Sequence, residues 1–292
     1  MELRVLQYFL AVVREENISR AAEVLHITQP TLSRQIAQLE EELGTPLFIR
    51  GRRLSLTDAG AMLRVRAEEV VSLVAKIEHE FAEKSEVGGI ISIGSGGLMA
   101  LQTLMPVLVQ FQQIYPRVRY AFYTNSAEYT KERLDQGLLD MGFLLEPVDV
   151  EKYDYIRMKG KERWGLLVPA GHPLAGKESI SKEDLFTVPL ITSGRRSVQK
   201  ELETWLGEDW EKLPVIATYN LITNVVSLVA GGHAAALTIE GAANFFEKDR
   251  MVFRPLAPEL AFTAVLAWKK FQPHFSAASQ LLEYIKGYTE NV

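Results

Sequence analysis

The sequence predicts a multidomain chain, with an all-α N-terminal domain, a long connecting helix and a C-terminal α/β domain of two lobes. Short amphipathic stretches occupy residues 1–57, and residues 58–87 contain no proline. From residue 88 onwards, β-type runs alternate with helical stretches. Because 292 residues exceed one typical domain, each part is long enough to bury its own core.

Composition limits the classes of protein to which the chain can belong. Hydrophobic residues make up 47% and charged residues 24%, which leaves no room for large-scale disorder. The absence of cysteine excludes disulfide bonds and thiolate metal sites and accords with a reducing cytoplasm. No apolar run reaches the roughly 18 residues of a membrane span. The stretch Val5 to Val13 lacks a basic leader and a cleavage site, so we expect an amphipathic helix there, no export signal and a cytoplasmic protein.

The charge distribution is more informative than the formal net charge of -5. An acidic chain would not bind phosphates unless cations were concentrated on one surface. No acidic residue occurs in Val24 to Leu39 or in Leu43 to Thr57. These two windows contain the arginines Arg34, Arg50, Arg52 and Arg53. We therefore expect a locally cationic surface in the first domain.

The first domain contains a predicted helix-turn-helix. One helix opens at Ser19, and a second follows the turn, with Thr28 as its N-cap and Pro30 in its first turn. Three apolar residues of the second helix, Leu32, Ile36 and Leu39, are spaced to bury one face. The candidate DNA-binding residues lie on or beside the opposite face: Thr28, Gln29, Pro30, Thr31, Ser33, Arg34 and Gln38.

Hydroxyl, amide and guanidinium groups suit base edges and phosphates in the major groove. A polar helix face is more often only a solvated surface, but the turn and the acid-free windows favour DNA binding here. Arg50, Arg52 and Arg53 fall in a tight hairpin that ends at residues 54–57. They form either an ordinary charged loop or a wing that touches the DNA backbone or minor groove.

The proline-free stretch from Asp58 to about Val87 predicts one long helix, which Gly88-Gly89 ends. Its apolar residues recur at spacings of 4, 3, 4, 3 and 4, as in a heptad seam. The candidate dimerisation residues are Leu63, Ala67, Val70, Val74, Ile77 and Phe81. A single amphipathic helix that packs on its own core remains an equally common alternative for so short a stripe.

The C-terminal domain shows the alternation of strands and helices that is typical of βαβ units and a mostly parallel sheet. Strands are predicted at 90–93, 118–123, 141–145, 164–168, 190–191, 215–219, 234–237 and 264–268, and helices at 98–111, 126–136 and from about 273 to 288. Two such sets in succession predict two lobes with a cleft between them. Lobe 1 is expected at about 88–161 and 267–292, and lobe 2 at about 162–266.

Ligands of open α/β sheets bind beyond the carboxyl ends of strands and near helix N-termini. The polar or glycine residues that follow predicted strands are the candidate ligand-binding residues: Ser95, Gly96, Gly97, Asn125, Thr192, Ser193, Asn220 and Thr238. Free backbone N–H groups around Gly96 favour an anion. Each residue taken alone is as often a helix cap or turn residue. Arg195 and Arg196 could supply a counter-charge, although exposed arginines more commonly have no such role.

Two other classes of function fit less well. The five histidines have no metal-ligand spacing, and the S-x-x-K matches at Ser179 and Ser197 lack their companion motifs, so we expect no enzyme, no metal site and no cofactor. A secreted solute-binding protein would explain the two lobes. It would leave the helical residues 1–87 without a purpose.

Several motifs resemble those of LysR-type transcriptional regulators. In the first sixty residues these motifs are Ala21 to Leu25, Thr28 to Ile36, Leu39 to Gly44, Leu47 to Arg50 and Leu56 to Gly60. Further on, Leu104 to Pro106, Tyr115-Pro116, Gly137 to Asp140 and His172 to Leu174 resemble the sensor domain of the same family. The resemblance therefore spans nearly the whole chain.

This resemblance implies a sequence-specific regulator with a winged helix-turn-helix, a linker helix and a periplasmic-binding-protein-like domain that binds a small effector. It also implies a homodimer that frequently assembles into a tetramer on double-stranded DNA. RNA polymerase is a further candidate partner, and an anionic metabolite is the first candidate effector. Thr28, Gln29, Pro30, Ser33 and Arg34 match recognition-helix positions. The wing is about one residue shorter than in many members, so which wing arginine touches DNA stays open.

Overall fold

The computed structural model describes residues 1–49, 54–82, 87–247, 249–270 and 276–290. The chain divides into two compact units, Met1–Ser85 and Glu86–Val292. The wing arginines Arg50, Arg52 and Arg53 lie outside the described residues. In the described part of the chain, no helix combines the length and the apolarity that crossing a bilayer requires.

The described part of the first unit contains four helices and a small hairpin. Its elements are α1 (Leu3–Glu15), α2 (Ile18–Val24), α3 (Gln29–Leu43), β1 (Phe48–Ile49), β2 (Ser55–Leu56) and α4 (Asp58–Ala82). Phe9 and Val12 of α1 pack with Leu32 and Ile36 of α3 in one buried core. The strands β1 and β2 pair antiparallel. The predicted helix-turn-helix and hairpin are therefore present.

The linker helix α4 divides its apolar residues between two environments. Ala67 is fully buried in the core of the first unit, and Leu63 is partly buried against the same core. Val70 and Ile77, by contrast, are 42% and 53% exposed. Val74 is half-buried, and the side chain of Phe81 lies outside the described residues. The start of the predicted seam therefore belongs to the core of its own domain, because the helix packs against α1 there.

The second unit contains two sheets. The five-stranded sheet has the order β4 (Val118–Thr124), β3 (Gly89–Ser95), β5 (Met141–Leu145), β13 (Ala264–Lys269) and β6 (Tyr153–Arg157). The second sheet has the order β11 (Met251–Pro255), β7 (Glu162–Pro169), β10 (Ala235–Ile239), β8 (Leu190–Ser193) and β9 (Val215–Tyr219), with β12 (Ala261–Phe262) paired to β7. In each sheet three neighbouring strands run parallel: β4, β3 and β5 in one, and β10, β8 and β9 in the other.

Among the described residues, six α-helices accompany the sheets: α5 (Met99–Ile114), α6 (Ala127–Asp135), α7 (Arg196–Leu206), α8 (Val226–Ala230), α9 (Glu240–Ala243) and α10 (Ala277–Glu290). Each predicted strand is present, and β6, β11, β12, α7, α8 and α9 are additional. The return of the chain to lobe 1 was predicted at about residue 267. It occurs at Ala264, because Ala264 already pairs with Leu145 of β5.

Each sheet has its own apolar core. Phe111 of α5, Phe143 of β5 and Leu266 of β13 belong to the core of lobe 1. The second sheet is covered on both faces, so Leu166 and Ile191 fall into two different clusters. This burial on both faces explains why its central strands are continuous apolar runs rather than alternating ones. The cores leave the carboxyl ends of the parallel strands free for polar residues.

Candidate functional site

The start of helix α3 is held by its own side chains. The hydroxyl of Thr28 accepts a hydrogen bond from the backbone N–H of Thr31 at 3.4 Å, and the two hydroxyls lie 2.8 Å apart. Pro30 occupies the first turn, where its missing N–H costs nothing. The helix ends at Gly44 in the left-handed conformation, with φ of 67°. Both the predicted N-cap and the predicted proline position are therefore observed.

Burial separates the two faces of α3 as the spacing of its residues predicts. Leu32, Ile36 and Leu39 are buried. The exposed residues are Thr28, Gln29, Pro30, Thr31, Arg34 and Gln38, and Ser33 is half-buried. Because residues 29–38 include no acid, nothing in this stretch neutralises the charge of Arg34. The outward face therefore offers hydroxyl, amide and guanidinium groups.

The preceding helix fixes the position of α3. Asn17 caps α2, and its Oδ1 accepts from the backbone N–H groups of Ser19 and Arg20 at 2.9 and 3.1 Å. Ala21 and Ala22 are buried, and their small side chains let the helices approach closely. His26 supports the turn with a positive φ of 54°. The turn between α2 and α3 is thus determined by local residues.

The wing hairpin, β1 with β2, is attached to the helices at both of its ends. Oε1 of Glu40 in α3 accepts from the backbone N–H groups of Leu47 and Phe48 at 2.7 and 3.2 Å. The hydroxyl of Thr57 donates to the carbonyl of Pro46 at 2.8 Å and accepts from the N–H of Gly60 at 3.0 Å. The base of the wing is therefore rigidly connected to the end of α3 and the start of α4.

In the second unit, the carboxyl ends of the parallel strands in one lobe face those in the other. Three contacts establish this arrangement. Gly97 packs against Ala242, the backbone N–H of Ala100 donates to Glu162, and Arg195 pairs with Glu128. Each contact joins a residue of lobe 1 to one of lobe 2. The cleft thus lies where the sequence places it, between the two sets of strand ends.

Gly97, predicted as a position where a ligand approaches the backbone, lies against the other lobe. A Cβ at Gly97 would be 2.9 Å from Cα of Ala242, and a Cβ at Gly241 would be 2.2 Å from the backbone nitrogen of Met99. Both glycines are therefore required by the close contact of the lobes. We call this contact, with Glu162 and Ala100 beside it, the pivot.

The carboxylate of Glu162 is buried within the pivot, with an exposure of 1%. Its Oε1 accepts from the N–H of Ala100 at 3.0 Å. Burial raises the pKa of Glu162, and hydrogen bonds from the backbone N–H groups of Ala100, Met99 and Gly241 oppose this rise. A carboxylate at the start of two helices, α5 and α9, is placed where the helix dipoles favour negative charge. No sequence pattern distinguishes this glutamate from any other.

The predicted polar residues differ in how their hydrogen-bonding groups are used. Oδ1 of Asn125 accepts from the N–H of Ser126 at 2.8 Å, and Oδ1 of Asn220 accepts from the N–H of Leu221 at 2.9 Å. The hydroxyl of Ser95 donates to the carbonyl of Gly96 at 2.7 Å. These groups therefore stabilise their own turns, which is the alternative role left open for each of them.

Three further hydroxyl residues at strand ends, Thr192, Ser193 and Thr238, are buried. Ser193 accepts from the backbone N–H of Arg195 at 3.3 Å. The hydroxyl oxygen of Thr192 is buried without a partner among the described residues. A buried hydroxyl without a hydrogen-bond partner lowers the free energy of unfolding unless another group forms a hydrogen bond with it.

A pocket with a volume of about 380 Å³ opens beside these residues. It is lined by Gly194, Arg195, Thr218, Tyr219, Asn220, Asn224 and Val225. Tyr219 donates its hydroxyl to the carbonyl of Leu237 at 2.8 Å, and burial raises the pKa of Tyr219 to about 12, so the phenol is neutral. Tyr219 was predicted only as a strand residue; its place as the last residue of that strand was the available signal. Among the described residues, no group of three or more His, Asp or Glu side chains could hold a metal ion.

Comparison with known families gives two matches that together cover almost the whole chain. The family model described as "Bacterial regulatory helix-turn-helix protein, lysR family" matches residues 3–61. The model described as "LysR substrate binding domain" matches residues 84–290.

Curated relatives and solved structures agree with these matches. The chain is 30% identical over 275 residues to the Hca operon transcriptional activator HcaR of Escherichia coli, with 92% of each chain covered. It is 31% identical over 244 residues to the transcriptional regulator IlvY of the same species, with 82% of each covered. Full-length CbnR complexed with its target DNA has a similar fold, with a TM-score of 0.74 at 22% identity, covering 98% of this chain and 99% of that one.

Proposed function

Because this chain belongs to the LysR family of transcriptional regulators, with a DNA-binding helix-turn-helix and an effector-binding domain, we propose that α3 is the helix that enters the major groove. The residues that contact DNA in this proposal are Thr28, Gln29, Pro30, Thr31, Ser33, Arg34 and Gln38, with Arg50, Arg52 and Arg53 of the wing. The observation that carries the proposal is the exposed, acid-free face of α3 over a buried apolar face.

The chemistry of this face suits a duplex. Arg34 offers a planar pair of donors for guanine edges, and Gln29 and Gln38 offer amides for adenine edges. The hydroxyls of Thr28 and Thr31 suit phosphate oxygens, and the N-terminus of a helix adds favourable partial charge. The arginines of the wing supply further cations for the phosphates in this proposal.

We propose that the functional unit is a dimer formed through the linker helix α4, which assembles further into a tetramer. Val70 and Ile77 leave an apolar surface exposed on this helix, as an unpaired seam would. Two copies would present two α3 helices to successive major grooves of a partly palindromic site. RNA polymerase is a further partner of this proposal.

We propose that a small anionic effector binds in the cleft of the second unit and shifts an equilibrium between assemblies that bend DNA differently. The positive charge of Arg195, the backbone N–H groups around Gly96 and the buried hydroxyls support an anion. The candidate binding residues are Ser95, Gly96, Gly97, Asn125, Thr192, Ser193, Asn220 and Thr238. In this proposal the protein acts in the cytoplasm and catalyses no reaction.

A gel-shift titration tests the DNA-binding part directly. The full chain is titrated against a duplex from its own upstream region and against a scrambled duplex of equal composition, at one fixed ionic strength. We expect clear preference for the upstream duplex. Equal affinity for the two duplexes would contradict the proposal.

A further inference from the structure

An ion pair joins the two lobes across the cleft, through residues other than those of the pivot. Nη1 of Arg195 lies 3.5 Å from Oε2 of Glu128. Arg195 follows strand β8 and is the N-cap residue of α7 in lobe 2. Glu128 lies in the first turn of α6 in lobe 1. The pair therefore connects the start of one helix to the start of another on the opposite wall.

The guanidinium of Arg195 has binding capacity that this pair does not use. Its Nε is buried and has no hydrogen-bond partner among the described residues. A guanidinium presents five N–H donors in a rigid fork that matches a carboxylate in a bidentate way. A contact at 3.5 Å from one Nη atom uses only part of this fork. Arg195 is therefore suited to a second oxyanion that could approach more closely.

The two partners differ in their exposure. The side chain of Glu128 is 59% exposed, whereas that of Arg195 is 29% exposed. An exposed carboxylate loses little when it returns to water, because solvent-exposed ion pairs are weak. Glu128 is consequently the partner that can leave, and Arg195 is the one that stays in the wall of the cleft.

The surroundings of Arg195 form a pocket rather than a flat surface. Of the described residues that line the pocket of about 380 Å³, Arg195 alone carries a charge. The neutral phenol of Tyr219 and the amide of Asn220 line the same pocket. The unpartnered hydroxyl of Thr192 lies on β8, three residues before Arg195 in the sequence. An anion at Arg195 would therefore be surrounded by neutral polar groups.

We propose that Arg195 anchors the carboxylate or other oxyanion of the effector, and that Glu128 occupies this position when no effector is bound. Effector binding then exchanges one anion for another at the same guanidinium. The exchange breaks the contact between α6 and α7 while the pivot at Gly97 and Glu162 keeps the lobes together. This inference rests on the proposed anionic effector and identifies how its binding alters the lobes.

Competition by Glu128 also sets a threshold for binding. A monodentate or bulky anion gains little over the internal carboxylate, whereas an anion that engages the whole fork of Arg195 gains more. Removing the charge of Glu128 should therefore tighten the binding of every anion that uses this position. Removing Arg195 should abolish the preference for anions over neutral analogues.

The test compares four variants of the full chain. Glu128→Gln removes the competitor, and Glu132→Gln, one turn later on α6, is its matched control. Arg195→Gln removes the anchor, and Arg196→Gln, whose partner is Glu203, is the control for loss of a cation. Thermal unfolding is followed during titration with acetate, glutarate and sulfate, and with acetamide and glutaramide as neutral analogues, at constant ionic strength.

We expect Glu128→Gln to bind the anions about 5-fold more tightly than the wild-type protein. We expect Arg195→Gln to bind them about 10- to 100-fold more weakly, and both control variants to behave as the wild type. Unchanged anion affinity in Glu128→Gln would overturn the exchange. If the neutral amides stabilise the wild-type protein as much as the anions do, or if none of the compounds stabilises it, Arg195 is not the anchor. The gel-shift preference for the upstream duplex is measured in parallel, so these outcomes are distinguishable from failure of the proposed DNA binding.

Discussion

The carboxylate of Glu162 accepts a hydrogen bond at 3.0 Å from the backbone N–H of Ala100, 62 positions earlier in the chain and in the other lobe. Glu162 is the first residue of β7, and Ala100 lies in the first turn of α5. A free N–H group at a helix start is one of the few partners that can compensate a buried carboxylate. The hydrogen bond therefore ties the two lobes at the point where the chain crosses between them.

Replacement of this carboxylate should change how stability depends on pH. Burial raises the pKa of Glu162 above its ordinary value of 4.5, so the folded chain binds this proton more tightly than the unfolded chain. Between these two pKa values the folded state holds more protons, and the free energy of unfolding falls as pH rises. Relative to Glu162→Gln, the wild-type protein should therefore lose stability as pH increases above about 4.5.

Urea denaturation of both proteins at several pH values measures this difference. Glu178→Gln, at an exposed position of lobe 2, controls for the loss of one charge. A free energy of unfolding of the wild type that rises with pH relative to that of Glu162→Gln would contradict the prediction.

Replacement of Arg34 by alanine should weaken binding to the upstream duplex by about 1–3 kcal/mol if the guanidinium contacts a base edge. The exposed position of Arg34 on α3 makes an effect on folding small. Fluorescence anisotropy with labelled duplex gives the affinity. Arg14→Ala, on α1, is the matched control. Undiminished affinity of Arg34→Ala for the upstream duplex would remove this residue from the interface.

Alanine at Gly60 should destabilise the first domain by about 1–3 kcal/mol, because its Cβ would overpack the base of the wing. This Cβ would lie 2.1 Å from the carbonyl oxygen of Leu47, so the backbone of the wing would have to move. Gly171→Ala is the control, since a Cβ there meets nothing within 4 Å. Chemical denaturation of both variants gives the comparison. Equal stability of the two variants would show that the wing tolerates the displacement.

Glutamate at Ile77 or Val70 should dissociate the proposed dimer, because a charge would have to be buried between two apolar helices. Both side chains are exposed on the single chain, so neither substitution disturbs its core. Size-exclusion chromatography with light scattering measures the mass of the particle. Val150→Glu, at another exposed apolar position, is the control. An unchanged mass for Ile77→Glu would locate the dimer contact elsewhere.

The periodic parts of the fold were predictable from local sequence. Thr28, Leu32 and Ile36 encode the cap and the buried face of α3 within a single helix, and the structure confirms both. Strands buried on two faces, such as β5 and β8, stand out as apolar runs. Helix α7 was not predicted, although Val198, Leu202 and Leu206 have helical spacing, because it begins after Arg195, which makes no side-chain capping hydrogen bond.

The contacts that shape the cleft were not predictable, because they join residues distant in sequence. Gly97 was predicted as a ligand position, and its close packing against Ala242 could not be recognised from local sequence. Strand β6 is an edge strand whose partner β13 lies more than a hundred residues later, so its short, charged segment carries little local signal. Arg195 differs from exposed arginines because it pairs with Glu128 in the other lobe, and this contact cannot be predicted from local sequence.

The order of the strands determines when each lobe can fold during synthesis. All strands of the second lobe lie between Glu162 and Phe262, whereas strand β13, which separates β5 from β6, begins only at Ala264. The second lobe is thus inserted within the first. A nascent chain emerging from the ribosome can complete the inserted lobe while the first lobe's sheet still lacks the strand that joins β5 to β6. A premature stop just after Phe262 would therefore leave a finished inner lobe attached to an outer lobe that cannot close.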